Sequence, residues 1–439
     1  MQNSSTILRK YFKVIEETNT ILPLGRVKEV GGFTIISEGP PDTAIGDICR
    51  VEKESGEYLF CEVMGFRGKN LILMPFGSPE GILPKANVHN TNRKAQILVS
   101  EKMIGRVFDG LGHPIDGELE IFEGEYRNAD NPPPNPMERD PINTIMVTGI
   151  KAIDGLLSVG KGQRIGIFAG TGVGKSTLLG MIAKYTTADI NVICLVGERG
   201  REVREFIERD LGREGLQRSI VIVATSDKSS LEKVYAAYFA TSIAEYFRDQ
   251  GKDVNLFMDS VTRFSFALRE IGIAIGDPLG PGGYPQSTWL KLSRLIERAG
   301  VSKKGTITGF YSVLVEADDM NDPVADAARG ILDGHIILSR KLAQRNHYPA
   351  IEITESISRV MPNVVSEEHA KLAMKIRSWL SVYRQNEDLI QLGAYAKGSN
   401  PDLDIAIEKM PQIRAFLQQP IEQGFTLEET IELMKKIVG

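Results

Sequence analysis

The sequence has 439 residues, which corresponds to about three domains of ordinary size. Hydrophobic residues make up 42% and charged residues 25% of the chain, as in globular proteins with a large core. The net charge of −5 argues against a dedicated nucleic-acid binder. No apolar run of about 20 residues could span a bilayer, and the first ten residues lack the apolar core of a signal peptide. We therefore expect a soluble cytosolic protein with free thiols at Cys49, Cys61 and Cys194.

The first part of the chain changes from a helical pattern to strand patterns. Residues 1–20 carry apolar side chains at helical spacing, which predicts a short amphipathic helix. This helix either binds a partner or docks on its own domain, and the spacing fits both. In residues 21–91, short apolar runs are separated by Gly, Pro and Asp turns. This texture predicts a small β-barrel, with a sandwich as the alternative.

Residues 92–362 have the pattern of an α/β domain. The proline-rich run 131–136 predicts a surface connector. Buried apolar runs without alternation then alternate with helical patterns, which is typical of a parallel sheet covered on both faces. The predicted strands are Arg164–Ala169, Asn191–Val196, Ser219–Ala224, Val254–Met258, Thr306–Val315 and His335–Leu338. Residues 363–439 have helical patterns only and predict a C-terminal helical bundle.

A strand, a glycine-rich loop and a helix start follow one another at residues 165–177. The loop has the Walker A arrangement, except that Ala169 stands where the first glycine is usual. Its amides and the helix N-terminus suit a polyphosphate, so we expect a nucleotide with Lys175 on the β- and γ-phosphates and Ser176 on Mg²⁺. The flanking strand and helix disfavour a chance glycine-rich turn. The predicted nucleotide-binding residues are Gly170, Thr171, Gly172, Val173, Gly174, Lys175, Ser176 and Thr177.

Two carboxylates follow strands of the same predicted sheet. Asp259 ends an apolar strand, where it can hold Mg²⁺ through water; this reading depends on the phosphate loop, since many buried strands end in Asp. Glu198 follows the strand Asn191–Val196, at the edge where such sheets bind ligands, and could orient an attacking water. The alternative role, a carboxylate that complements a helix dipole, suits Glu202 better.

Arg359 lies in a polar segment, residues 356–360, far along the chain from the phosphate loop. The residue types around it suggest no partner. On this evidence alone, an ordinary surface arginine is the favoured interpretation.

Several longer motifs together resemble one family. They resemble the hexameric ATPases that include the α/β subunits of rotary ATP synthases, and above all the flagellar protein-export ATPases and their type III secretion counterparts. The resemblance runs from about Leu24 to the C-terminus and implies a P-loop (RecA-like) core between a barrel and a helical domain. The motifs are Gly197–Phe206, Asp259–Phe264, Gly283–Pro285, Leu295–Gly300, Gly330–His335 and Gly393–Ser399.

The resemblance implies a role for each site residue. Glu198 would activate water, Asp259 would be the Walker B residue that holds Mg²⁺ with Ser176, and Arg199 and Arg263 would lie near the phosphates. Arg359 matches the arginine finger, which reaches the site of a neighbouring subunit. The implied catalytic residues are thus Lys175, Glu198, Arg199, Asp259, Arg263 and Arg359.

The resemblance also implies an adenine pocket and a set of partners. Tyr348 matches the aromatic residue that stacks on adenine, and Phe416 would line the same pocket. We expect a homo-oligomer, in the form of a hexameric ring, a stator-like regulatory protein at residues 1–20, and a central stalk protein in a channel faced by the loop Gly272–Tyr284. Export chaperone–substrate complexes and a membrane export gate would be further partners, without nucleic acid. The expected location is cytoplasmic and peripheral, at an inner-membrane export apparatus.

Other functions stay open at this point. A virulence-type secretion ATPase and the catalytic subunit of a rotary ATP synthase are the enzyme alternatives. A non-catalytic nucleotide-binding scaffold is disfavoured because Glu198 is present. An RNA-translocating ring is disfavoured by the acidic charge balance. The leading prediction is an ATPase that energises flagellar protein export.

Overall fold

The structure is a computed structural model, and it describes residues 23–315 and 322–439. The amphipathic helix predicted for residues 1–20 lies outside the described residues. The chain divides into two compact units, one with the residues up to Ala95 and Ala274–Gly276, the other with Gln96–Ile273 and Asp277–Gly439. Within the described ranges, no helix is long and apolar enough to cross a membrane.

The first unit contains a closed antiparallel barrel, as predicted. Side chains alternate between its interior and its surface: β4 buries Leu59, Cys61 and Val63, whereas Tyr58 and Phe60 are exposed. The strand order around the barrel is β1–β2–β5–β4–β3–β6. The apolar runs in the sequence do not reveal β1 and β6, because few of their side chains are buried. The strands are β1 (Gly25–Gly31), β2 (Thr34–Glu38), β3 (Asp47–Glu52), β4 (Tyr58–Arg67), β5 (Asn70–Pro75) and β6 (Asn87–Lys94).

The second unit contains a central sheet and two short ribbons. The ribbons pair β7 (Gln96–Val99) with β9 (Glu125–Asn128) and β10 (Ile145–Met146) with β11 (Val159–Gly160). The strands of the sheet are β8 (Val107–Asp109), β12 (Arg164–Ala169), β13 (Ile190–Val196), β14 (Ser219–Ala224), β15 (Asp253–Asp259), β16 (Gly300–Val301), β17 (Thr306–Leu314), β18 (Gly334–Leu338) and β19 (Ile357–Ser358).

The sheet is mainly parallel, as predicted. Its order is β19–β18–β12–β17–β15–β13–β14–β8, with β16 paired to β17. All pairs from β18 to β8 are parallel, and among the described strands of this sheet only the short strands β16 and β19 are antiparallel. The carboxyl ends of the parallel strands therefore meet at one edge, where a ligand site is expected.

The helix Lys175–Tyr185 and the C-terminal helices share one hydrophobic core with this sheet. Ile376 and Phe416 of the C-terminal helices belong to the same buried cluster as Ile165 and Ile167 of β12. The longest helix, Ser230–Asp249, packs on β13, β14 and β15. The helices are Lys151–Leu156, Lys175–Tyr185, Gly200–Glu205, Gly212–Leu216, Ser230–Asp249, Val261–Ile275, Gln286–Glu297, Pro323–Ile331, Arg340–Gln344, Met361–Val364, Glu367–Gln385, Glu387–Gln391, Pro401–Leu417 and Leu427–Val438.

One predicted helix differs in form. A single helix over 202–211 is expected from the pattern, but the α-helix Gly200–Glu205 continues as a wider π-helical turn, Phe206–Leu211. This turn brings Asp210 against Gly180 of the helix Lys175–Tyr185, where an added Cβ would lie 2.6 Å from the Asp210 carbonyl oxygen. Close packing of the two helices thus accompanies the wider turn.

Candidate active site

The phosphate loop joins the end of β12 to the helix Lys175–Tyr185. Gly172 and Gly174 have φ angles of 76° and 89°, which glycine adopts without strain. Ala169, in the place of the usual first glycine, still belongs to β12 and pairs with Leu314 of β17. Its methyl group is therefore part of the sheet and does not enter the loop. The loop amides and the helix N-terminus form the cradle expected for a polyphosphate.

Lys175 lies in a buried acidic cluster at the carboxyl edge of the sheet. Its ammonium group forms a close ion pair with Asp259 and lies 3.7 Å from Oε1 of Glu198. The carboxylate of Asp259 also accepts a hydrogen bond of 2.6 Å from the hydroxyl of Ser312 on β17. The structure thus brings three of the predicted catalytic residues together.

Sequence reasoning missed Ser312. The sequence does contain a signal for this residue: Ser312 places a hydroxyl group within a buried strand, and a buried hydroxyl needs a hydrogen-bond partner. In this fold the partner is a carboxylate of the site, so Ser312 fixes the orientation of Asp259.

Glu198 has an altered proton affinity. Burial and the neighbouring Asp259 raise the pKa of Glu198 to about 7, while the Lys175 ammonium opposes the shift. Glu202, one helical turn later, shares a hydrogen bond with Glu198, and this bond lowers the pKa of Glu202. A carboxyl group whose pKa is close to neutral pH is suited to proton transfer with water. Glu202, interpreted from the sequence as a helix-dipole partner, therefore also contacts the site.

The two arginines predicted near the phosphates differ in position. Nε of Arg263 lies 3.6 Å from Oε1 of Glu198, and it is buried without a hydrogen-bond partner among the described residues. The Arg263 stem packs on Gly197, where an added Cβ would lie 2.7 Å from Cδ of Arg263. The side chain of Arg199 is 76% exposed and pairs with Glu202 at 3.2 Å. Arg263 thus belongs to the cluster, whereas Arg199 lies at its rim.

The residues expected to hold Mg²⁺ are oxygen donors. Ser176 lies on the first turn of the phosphate-loop helix, and Asp259 ends β15. Hydroxyl and carboxylate oxygens are ligands that Mg²⁺ prefers, with phosphates and water completing its shell. The hydroxyl of Thr177 donates instead to the buried Asp210, at 3.3 Å, and so fixes the start of the helix. The donor set fits the ion.

The two aromatic residues of the predicted adenine pocket have different environments. Tyr348 is 42% exposed, and a Cβ added to Gly174 would lie 3.6 Å from its Cδ1 atom, so its ring adjoins the phosphate loop. Phe416 is buried in the core, with its ring 5.9 Å from Nζ of Lys151. Gln419, three residues after Phe416, contacts Tyr348: its backbone amide donates a hydrogen bond of 3.0 Å to the Tyr348 carbonyl. The adenine role of Phe416 stays a prediction.

Arg359 lies at the opposite edge of the sheet from Lys175. It follows β19, and Ser358 of β19 pairs with Gly334 at the start of β18. Because β18 has five residues and runs parallel to β12, the phosphate loop is at its far end, roughly 13 Å away at about 3.3 Å per residue. The Arg359 side chain is exposed, and its amide donates to the Asp333 carbonyl at 3.0 Å. Within one chain, Arg359 is not brought to the phosphate loop.

Comparisons with known families agree with this architecture. Residues 149–358 match the ATP synthase alpha/beta family, nucleotide-binding domain. Residues 365–436 match the T3SS EscN ATPase C-terminal domain. The fold and the site together define a P-loop ATPase related to the α/β subunits of ATP synthases.

Similar proteins show to which family of P-loop ATPases the chain belongs. The chain is 51% identical to the flagellum-specific ATP synthase of Bacillus subtilis, over 97% of both chains. It is 45% identical to the type 3 secretion system ATPase of Xanthomonas euvesicatoria, over 98% of this chain and 94% of that protein. The assembled ATPase EscN of the enteropathogenic E. coli type III secretion system is 42% identical and superposes with a TM-score of 0.88, over 94% of this chain and 100% of that one. The chain belongs to the family of flagellar and type III secretion ATPases, which confirms the predicted fold, family and ATPase activity.

Proposed function

We propose that this chain hydrolyses Mg²⁺-bound ATP in a ring of identical subunits, and that hydrolysis energises the export of flagellar proteins. The observation that carries the proposal is the buried cluster at the phosphate loop. It combines two cations, Lys175 and Arg263, with two carboxylates, Asp259 and Glu198, of which Glu198 has a raised pKa. This is the set of groups that phosphoryl transfer to water needs within one chain.

Each group of the cluster has a distinct part in the reaction. Lys175 and the loop amides bind the phosphates, and Ser312 orients Asp259 towards the ion site. When bound, Mg²⁺ neutralises charge on the phosphate oxygens. Ionised Glu198 accepts the proton of the attacking water, since its pKa lies near neutral pH. Arg263, beside Glu198, holds that carboxylate in place.

Arg359 acts on the site of a neighbouring subunit in this proposal. Its exposed guanidinium lies at the sheet edge opposite to its own phosphate loop, so it can reach another chain's ATP but not its own. An arginine supplied in this way stabilises the charge that develops on the transferred phosphoryl group. Complete sites then exist only at subunit interfaces.

The partners of the ring follow from relatives and from the chain's own segments. A structure of EscN in complex with its central stalk EscO supports a stalk partner here. We place the contact with this partner at the loop Gly272–Tyr284, as the family resemblance implies. Residues 1–20 would recruit a stator-like regulator. Chaperone-bound substrates and a membrane export gate would place the ring in the cytoplasm, peripheral at the inner membrane. Flagellar rather than virulence export is favoured because the flagellum-specific relatives compared are 44–51% identical to this chain, whereas the type 3 secretion relatives are 44–45% identical.

Mixing two inactive variants tests the shared site. Lys175→Ala removes the phosphate cation, and Arg359→Ala removes the finger. A mixed ring can place an intact Lys175 opposite an intact Arg359 at some interfaces, so ATPase activity should recover on mixing. Arg294→Ala, which removes an exposed arginine, is the control that should stay active alone. Absence of recovery, with mixed rings confirmed by co-purification of the two differently tagged variants, would overturn the shared site.

A further inference from the structure

One segment, with a turn at residues 353–355, links the two ends of the sheet. Residues 351–359, here called the strap, run antiparallel to β18 from Ile351, which bridges Leu338, to Ser358, which pairs with Gly334. The strap begins three residues after Tyr348, which adjoins the phosphate loop of the same chain. It therefore connects the chain's own nucleotide site with Arg359.

Two arginines of the helix Glu367–Gln385 hold the strap. The Arg384 guanidinium donates to Oγ1 of Thr354 at 2.7 Å and to Oε1 of Glu355 at 2.6 Å, and it forms a close ion pair with Glu352. Arg377, two turns earlier on the same helix face, donates to the carbonyl of Ser356 at 3.0 Å. The two side chains thus hold the strap from residue 352 to residue 356.

These contacts differ from an isolated surface ion pair. A single exposed pair contributes little, but Arg384 joins three neighbouring side chains of one segment, and the Glu352 side chain is only 14% exposed. The Glu352 carboxylate also accepts a hydrogen bond of 2.7 Å from Thr354. Arg359 itself is held mainly through backbone groups. Its amide donates a hydrogen bond to the Asp333 carbonyl, and its guanidinium lies 3.5 Å from the Leu332 carbonyl. The position of Arg359 therefore depends on how the strap is held.

We propose that Arg384 and Arg377 are positioning residues for Arg359: they hold the strap against β18 and so set where Arg359 meets the neighbouring subunit's ATP. The proposal rests on the shared site proposed above. It makes the helix Glu367–Gln385 a route by which a movement of the C-terminal helices changes ATP hydrolysis in the next subunit.

The test places Arg384→Ala on one or the other partner of the mixed ring. In the reference mixture, Lys175→Ala subunits supply the finger and Arg359→Ala subunits supply the site. Adding Arg384→Ala to the finger-supplying subunit should lower the recovered kcat by about tenfold or more, with an unchanged KM for ATP, because a small displacement of a catalytic group is costly. Adding it to the site-supplying subunit should leave the recovered rate within about twofold of the reference.

The outcomes separate this inference from the proposed function. If the reference mixture recovers no activity, the shared site fails. If it recovers and Arg384→Ala lowers the rate equally on both partners, or only on the site-supplying one, the positioning role fails. A general loss of stability would also act on both partners, so the asymmetry is the decisive readout.

Two further variants guard against loss of folding or assembly. Glu352→Gln weakens the same contact from the strap side and should reproduce the asymmetry with a smaller loss. Lys371→Ala removes an equal charge from an exposed position of the same helix, where Lys371 pairs only with Glu367 among the described contacts. This variant should leave the recovered rate unchanged on either partner. An equal loss with Lys371→Ala would assign the effect to the helix's charge and overturn the proposal.

Discussion

The two edges of the central sheet differ in whether one chain supplies a complete set of site residues there. At the carboxyl edge, Lys175, Asp259 and Glu198 contact one another in a buried cluster within one chain. At the amino edge, Arg359 is exposed and is held by backbone groups. The first edge can bind and polarise a phosphate by itself. At the second edge, Asp333 pairs with Arg164, and Arg359 has no carboxylate partner among the described residues. The difference agrees with our proposal, in which ATP binding belongs to the chain and ATP hydrolysis to the ring.

Lys175→Ala breaks the carboxyl edge and has the largest expected effect. It removes the ammonium group that pairs with Asp259, so that Asp259 faces the phosphates without this ion pair and Glu198 keeps only Arg263 beside it. We expect steady-state ATP turnover to fall to background, with ATP binding weakened as well. Turnover at the wild-type rate in a phosphate-release assay would contradict the phosphate-loop assignment.

Arg359→Ala breaks the amino edge. The expected loss in kcat is on the order of 10³-fold, as for other arginine fingers, with ATP affinity nearly unchanged. Arg359→Lys should restore little, because an ammonium lacks the planar guanidinium fork. Measurement of kcat together with equilibrium ATP binding checks this prediction, and a loss of binding equal to the loss of kcat would place Arg359 in its own chain's site.

Glu198→Gln separates binding from chemistry within the carboxyl edge. The amide keeps the shape of the side chain but cannot take a proton from water, so we expect a loss in kcat of about 10²-fold or more. A fluorescent ATP analogue should still bind with wild-type affinity. Were binding to weaken as far as turnover does, Glu198 would be a structural residue.

The pH dependence of kcat/KM tests whether Glu198 accepts the proton of the attacking water. Because only the ionised carboxylate accepts a proton and its pKa is about 7, kcat/KM should fall by up to about tenfold per unit below pH 7. Glu202→Ala removes a hydrogen bond that raises the pKa of Glu198, so the midpoint should move to lower pH. A midpoint that Glu202→Ala leaves in place would assign the titration to another group, such as ATP itself.

The smallest predicted effect is on stability. The Glu198 pKa is raised from 4.5 to about 7 in the folded chain, so folding takes up a proton between these values. The contribution of Glu198 to stability therefore falls as the pH rises from 4.5 to 7. Glu198→Gln cannot ionise and should raise the unfolding temperature at pH 8 by roughly 1–3 °C. Calorimetry at pH 8 and pH 5 measures this rise in unfolding temperature, and a rise that is larger at pH 5 than at pH 8 would contradict the raised pKa of Glu198.

The carboxyl edge is also the part of the site that the sequence predicts best. Lys175 and Ser176 follow from the local loop pattern, and Asp259 and Glu198 from their places after buried strands, because parallel strands end at a common edge. Partners such as Ser312 and Glu202 depend on side-chain geometry across strands and turns, which no local pattern encodes. They are therefore found only in the folded chain.

The amino edge also shows which strands cannot be predicted from local sequence patterns. The short strand β19 is too small to be recognised from periodicity, and only its pairing with β18 fixes the edge at which Arg359 lies. The barrel strand β1 escaped prediction for a related reason, since only Gly25 and Val27 in it are buried. Long buried strands are predictable because their composition reports burial on both faces.

The central claim is that one chain binds ATP but only the ring hydrolyses it, and one dilution series tests it most directly. In the same wild-type samples, ATP binding per chain and ATP turnover per chain are measured from concentrations at which light scattering shows monomers to those at which it shows rings. The account predicts binding within about threefold across the series, together with turnover that is near background in monomers and rises with ring formation. Turnover per chain that stays constant down to the monomer would contradict it.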